Sequence, residues 1–463
     1  MRVVGLAGIL ALSVCCATGI QAGTISANPS NYKTLVNALN PGDTLNLAAG
    51  TYPLLSISGI NGTPSAWITI QGPVSGPPAV ITVSSANPRC CNLVQLDSVS
   101  YLAIRNLRVD SALNEAIDGI NARGTTHDIL VENCALVGQG ASQGTVGIST
   151  KGTAWNWTIR GNTIIGAGTG MYLGNSTGDS PFINGLIEGN LIQDTVGYNT
   201  EIKWQAPYAL PAGLDPNPHR TIIRNNVWIK SKAQGSFGID AAMIDGPRPN
   251  LLVGGFPNSG PGSSDLYEIY GNFFFQNADG ESLFQGSGKL ALHDNIFVGG
   301  TFAAIALHDH DLPLRLAYVY NNTIYGNVAG ISVTNGGSLA DSLVTGNLVF
   351  APTGINAPTA KDNIVATMAN AGNYVNLPSL TFPMDFYPKA GSAAKGATAL
   401  DMSKFTSHTE YSVDFNRTSK GTFLYRGAYA GEGTNPGWTL AATKKLAAPP
   451  APAPAAPKNL RIR

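Results

Sequence analysis

Ten times along this chain an asparagine closes a short apolar strand, and the residues around it follow one pattern. The segments read LAIRNLRV at Asn106, ILVENCAL at Asn133, WTIRGNTI at Asn162, GLIEGNLI at Asn190 and TIIRNNVW at Asn226. They continue as YEIYGNFF at Asn272, LALHDNIF at Asn295, AYVYNNTI at Asn322, SLVTGNLV at Asn347 and TAKDNIVA at Asn363. Successive steps are 27, 29, 28, 36, 46, 23, 27, 25 and 16 residues, so a unit near 27 recurs with two clear insertions. Such a unit is too thin to bury its own apolar face, and neighbours must stack into a solenoid.

The units alternate apolar and polar residues over four to six positions, are rich in Val, Ile, Thr and aromatics, and break at Gly and Asn. No helical period survives three turns. Strands recurring in one direction once per coil must pair in parallel, at about 4.8 Å per coil. Asparagine at the repeated turn tolerates left-handed backbone and can bond amide to amide between coils, so all ten are expected to be structural.

Only 12% of the residues are charged, and 54 of 463 are glycine, which suits a turn-dense all-β chain with a dry interior. The balance of 28 basic and 28 acidic residues points away from nucleic acid and anionic membranes. Arg2 and the apolar run over residues 3 to 17 predict a secretory leader over residues 1–22, too short to span a bilayer. Val14 ahead of Cys15 argues against a lipoprotein anchor, so a secreted or periplasmic protein is expected. Of Cys90, Cys91 and Cys134, one bridge to Cys134 is expected, with its partner undecided. The Pro/Ala-rich run PPAPAPAAP lies within residues 431–463, which read as a disordered tail after a β-helix domain over residues 23–430.

The stretch NALNPGDTLNLAAGTY with the later ITIQG resembles the opening coil of pectate-lyase-like right-handed parallel β-helix proteins. In that superfamily a short amphipathic helix, here over residues 32 to 39, caps the rod. MDFYPKAGSAAKGATAL and VDFNR with YRGAYAGE resemble its closing segments. The resemblance covers residues 24 to 430 and implies the fold; activity has to come from a site.

In the strands upstream of most asparagines the inward residues are plainly apolar, which turns Arg123, Lys151, Tyr172, Lys203, Asp240 and His308 outward along one polar strip. Glu201 and Gln205 share the strand of Lys203. The long insertions, residues 206 to 220 and 241 to 265, follow Lys203 and Asp240 and are expected to wall a cleft there. A strip of this kind suits an extended acidic polysaccharide, with the protein as a monomer.

Uronate polymers are cut by β-elimination: a base takes the C5 proton while a cation neutralises the adjacent carboxylate. Lys203 is the candidate base, if Lys151, Arg248 or desolvation lowers its pKa from about 10.4. Calcium held by Glu201, Asp240 and Asp245 is the candidate carboxylate binder. The run NTEIKWQ resembles β-helix polysaccharide lyases, which place acidic calcium ligands and a lysine base on this face. An ordinary Glu201–Lys203 ion pair is equally compatible with the spacing. A second constellation, His308-Asp309-His310-Asp311 with Arg315, partly resembles the Asp-Pro-His-Asp motif of mannuronan C5-epimerases, with His310 where the proline stands. That resemblance implies a histidine base at His308 and substrate contacts from Asp309, His310 and Arg315; a capped turn or a two-histidine metal site are the other readings. The expectation is a secreted polysaccharide lyase, with a C5-epimerase or a non-catalytic carbohydrate-binding surface protein as alternatives.

Overall fold

The structure is a computed structural model that describes residues 22–83, 92–115, 117–334 and 339–445. The chain is an all-β, right-handed parallel β-helix. Each coil contributes one strand to each of three long parallel sheets. One coil reads Ser100–Arg105 in the first sheet, Leu107–Asp110 in the second and Ile120–Arg123 in the third. Parallel neighbours joined by such crossovers take the right-handed path because of strand twist. Inward residues of the third sheet, Ile120, Ile148, Met171 and Ile202, are all fully buried. Within the rod, Phe274 stacks on Trp228 and Phe297 with ring centroids 5.9 and 4.6 Å apart.

The asparagine turn joins the first sheet to the second, and it carries two positions rather than one. Eight asparagines, from Asn162 to Asn363, form a continuous ladder in which each Nδ2 donates to the next Oδ1 at 2.9 to 3.0 Å. Each Oδ1 also accepts the backbone N–H of the preceding asparagine. Buried amides are stable there because their donors and acceptors are used. Asn106 and Asn133 do not belong to this ladder. They occupy the preceding residue of the turn, at φ 55° and 54°, where Gly161 and Gly189 stand in later coils. Cys134 fills the ladder position instead and its N–H donates to Asn162 Oδ1 at 2.8 Å.

The capping helix covers Tyr32–Val36 and is shorter than the residues 32 to 39 expected. Tyr32 is buried and its hydroxyl donates to Leu54 O at 2.7 Å, tying the cap to the second coil. At the other end the chain turns back along the rod. Phe386, Phe415, Tyr429 and Leu440 cover the outward Leu191, Val227, Phe273 and Ile296 of the second sheet. Phe405 stacks on Tyr320 of the first sheet at 4.1 Å. The packed chain therefore continues beyond residue 430, and Lys445 is buried with its Nζ donating to Gly271 O at 2.8 Å. With much of those two faces covered, the third sheet keeps the long polar face. Cys134 is buried beneath the turn. It carries a free thiol whose Sγ donates to Glu132 O at 3.5 Å, so the expected bridge to Cys134 is not formed. Cys90, Cys91, residues 1–21 and residues 446–463 lie outside the described residues, and with them most of the leader and the end of the tail. Among the described residues no helix is long and apolar enough to cross a membrane.

Candidate functional site

Two outward columns run along the third sheet. In one, Gln95, Asn121, Ser149, Tyr172 and Glu201 are consecutive register partners, followed by Leu252, Gln285 and Ala306. In the other, backbone bonds, and at Gly174 a bond from its N–H to Thr150 Oγ1, carry the sequence Arg123, Lys151, Gly174, Lys203, Gly254, Ser287 and His308 from coil to coil. The alternation around each strand thus places Arg123, Lys151, Lys203 and His308 in one row, as the sequence implies.

Asp240 does not join them. Phe237 to Asp240 is not a strand; the strand of that coil is Leu251–Val253, preceded by a loop over residues 231–250. The apolar alternation at Phe237 and Ile239 is that of a half-buried loop, and Asp240 Oδ1 accepts the Ala242 N–H at 3.0 Å to cap a short 3-10 turn. Asp245 is also exposed on this loop, with its N–H donated to Gln143 Oε1 at 2.8 Å. The walls differ accordingly. Residues 231–250 border the leading edge of the third sheet, held by Gln234 Nε2 on Gly246 O at 2.7 Å and by Lys230 Nζ on Arg248 O at 2.8 Å. Residues 206–219 and 254–265 leave from its trailing edge.

The chemistry concentrates at one coil. Lys203 Nζ donates to Glu201 Oε1 at 2.8 Å, and Glu201 is only 3% exposed. Burial raises the Glu201 carboxyl above the ordinary carboxylate range, against the opposing pull of Lys203, Arg248 and His310. Burial alone would depress the Lys203 ammonium, but the charge and hydrogen bond of Glu201, with Tyr172 and Asp311, hold it above the ordinary lysine value. That direction opposes a base role for Lys203 in the free protein. Tyr172 lies beside the pair: Lys151 Nζ is 4.6 Å and Lys203 Nζ 5.7 Å from its ring centroid. Burial and Glu201 raise the Tyr172 phenol. Arg248 Cζ sits 5.6 Å from the Tyr198 ring, whose phenol is pushed up by burial, with Glu201 adding to it.

Other expected residues lie apart. His308 is three coil steps from Lys203, roughly 14 Å at the usual strand spacing, with its Nδ1 2.7 Å from Asp309 O. The loop after it folds back, so His310 and Asp311, paired at 2.8 Å, act electrostatically on the Glu201–Lys203 pair. Asp309 is spent on its own turn, accepting Leu314 N–H at 2.8 Å. Arg315 stands at the start of a first-sheet strand and donates to Phe256 O at 3.4 Å. Gln205 is 1% exposed and donates to Phe182 O at 3.2 Å, so it supports the 206–219 loop rather than facing the groove. Arg123 is engaged with Asp97 at 3.0 Å. Glu201, Asp240 and Asp245 do not converge, and among the described residues no three His, Cys, Asp or Glu side chains group as a metal site requires. Those residues do not fit calcium. Tyr198 is not among the sequence candidates because it precedes its strand, and Asp311, named there only with His308, reaches the Glu201–Lys203 pair because its loop folds back.

No protein-family model and no curated protein matches the chain. Solved structures of the same architecture do. Pectate lyase Pel9A aligns at 15% identity over 90% of this chain and 98% of its own, with a TM-score of 0.46. The GH136 lacto-N-biosidase of Eubacterium ramulus aligns at 10% identity over 74% of this chain and 68% of its own, with a TM-score of 0.39. The mannuronan C-5 epimerase AlgE4 A-module of Azotobacter vinelandii aligns at 15% identity over 73% and 93%, with a TM-score of 0.39. The parallel β-helix itself is established by this chain's own three long parallel sheets.

Proposed function

We propose that the groove over the third sheet binds an acidic, uronate-containing polysaccharide and cleaves it by β-elimination beside Glu201 and Lys203. The observation that carries this is the buried Glu201–Lys203 pair set among Lys151, Tyr172, Tyr198 and Arg248 on one walled face. Lys203, held as an ammonium, with Lys151 and Arg248, neutralises the substrate carboxylate, which makes the C5 proton more acidic. Glu201, a stronger base than an ordinary carboxylate because burial raises its pKa, accepts that proton. The electron pair left at C5 forms the C4–C5 double bond, the C4–O bond breaks, and the Tyr172 phenol protonates the departing oxygen. The leader expected at residues 1–22 would place the enzyme where such polymers occur, outside the cytoplasm.

A non-catalytic binding protein is the second reading, favoured by the 3% exposure of Glu201 and its tie to Lys203. The test is absorbance near about 235 nm, where an unsaturated uronate product absorbs, during incubation with pectate, alginate and glycosaminoglycans. A rise with one polymer supports the lyase. Polymer retention without a rise leaves the binding protein, and inversion at C5 without chain cleavage identifies an epimerase.

A further inference from the structure

A cavity of about 510 Å3 lies behind the 206–219 loop, outside the Glu201–Lys203 cluster. It opens where third-sheet strands turn into first-sheet strands, and Thr125 and Thr153 on its wall stand two residues after Arg123 and Lys151. The floor is aromatic: His127 stacks on Trp155 with centroids 4.4 Å apart at 8°. Pro207 and Pro211 of the loop close the far side. The carboxylate on the wall is Asp179, whose Oδ1 accepts from Asn175 Nδ2 and from Ser180 Oγ, the latter at 3.4 Å, which leaves Oδ2 for a ligand, and no lysine or arginine lines the cavity. His127 Nδ1 is engaged with Asp128 Oδ2 at 2.8 Å, which leaves Nε2 for a ligand.

We propose that this cavity is a binding site for a neutral sugar unit. Its volume falls in the roughly 300 to 1,000 Å3 range of small-molecule sites, which combine apolar walls with a few polar groups that set orientation. An anionic sugar would meet the Asp179 carboxylate with no cation to offset it. A neutral hexose instead offers vicinal hydroxyls to that carboxylate, further hydroxyls to Thr125, Thr153 and His127 Nε2, and C–H faces to ring edges and prolines. The site stands on the cavity alone. One extension rests on the groove reading: a polymer lying along Arg123 and Lys151 would reach the cavity with a neutral side branch, so its substrate would be a branched acidic polysaccharide.

The test is ligand-observed saturation-transfer NMR on the full chain with D-galactose, D-galacturonate and D-glucosamine as separate probes. Galactose is expected to show transfer that weakens at least fivefold in Asp179→Asn, an exposed and nearly isosteric substitution whose folding is checked by circular dichroism, and in His127→Ala. No transfer to galactose, transfer only to galacturonate or only to glucosamine, or galactose binding untouched by Asp179→Asn overturns the proposal. Because the readout is sugar binding and not turnover, a failure of the lyase reading leaves this result unaffected.

Discussion

Asn272→Ala isolates the ladder that holds the rod together. Asn272 Oδ1 accepts from Asn226 N and Nδ2 at 2.9 and 3.0 Å, and its Nδ2 donates to Ile223 O, Asn295 Oδ1 and Tyr270 O at 2.8, 3.0 and 3.1 Å. Alanine removes all five. Asn226 Nδ2 keeps its bond to Ile187 O, and Asn295 Oδ1 keeps the Asn272 backbone donor, so the group stranded outright is the buried Asn226 N–H. Stranding a buried donor costs about 1–3 kcal/mol and each of the four other lost bonds about 0.5–1.5 kcal/mol, which brackets the loss between about 3 and about 9 kcal/mol. Asn106→Ala is the control. Asn106 has a left-handed φ of 55° but no place in the ladder, so its replacement should cost only about 1–2 kcal/mol of backbone strain. Urea unfolding followed by circular dichroism reads both. If Asn272→Ala costs no more than Asn106→Ala, the amide ladder is not what stabilises these coils.

Lowering the pH from about 6.5 to about 4 should remove the stability that His408 and His293 contribute, while the buried Asp294 carboxyl, raised to about 7, works in the opposite sense. Burial pushes His408 down to about 4 and His293 well below the ordinary histidine value, so in that window the unfolded chain binds protons that the folded chain refuses. Thermal melts across this range should flatten in His408→Gln, and a slope unchanged by that substitution would refute the assignment. Lys230→Met removes one of the two donors that anchor the Arg248 carbonyl, leaving Asn277 Nδ2 at 3.0 Å, and amide hydrogen exchange over residues 241–248 should quicken several-fold; unchanged exchange would mean the 231–250 loop is held otherwise. Because Arg123 is an exposed residue paired with Asp97, Arg123→Ala should shift stability by under about 0.5 kcal/mol while weakening retention on an acidic polymer column. A chelator should leave the melting temperature unchanged, since no described metal group supports the fold; a drop of several degrees would contradict this.

The fold was legible because the repeat is physical: a turn that needs left-handed backbone and a buried amide recurs at nearly fixed spacing. The one-residue offset of Asn106 and Asn133 was not, because asparagine satisfies both the left-handed position and the ladder position. In the third sheet, period-two alternation placed Arg123, Lys151, Tyr172, Glu201 and Lys203 correctly. It misled at Asp240, where Phe237 and Ile239 alternate within a loop that packs by its own half-buried side chains. The Glu201–Lys203 ion pair was one of two readings that the spacing allowed, and the structure shows it formed. Spacing puts Glu201 and Lys203 on one face, but only the burial of Glu201 and the 2.8 Å contact decide that the lysine stays charged. Loop-borne neighbours such as Asp311 depend on tertiary folding that no local pattern encodes.

The most direct test of the groove chemistry compares Glu201→Gln and Lys203→Ala with the parent chain on the polymer that gives absorbance near about 235 nm. Glu201→Gln should lower kcat on the order of 10² to 10⁴-fold, as loss of a general base does, while polymer retention stays within about tenfold. Lys203→Ala should raise KM as well as lower kcat, since the carboxylate loses its nearest cation. If Glu201→Gln turns over at the parental rate while Lys203→Ala abolishes turnover without affecting retention, Lys203 is the base and the roles assigned here are reversed. If neither substitution alters the rate, the chemistry is not in this groove.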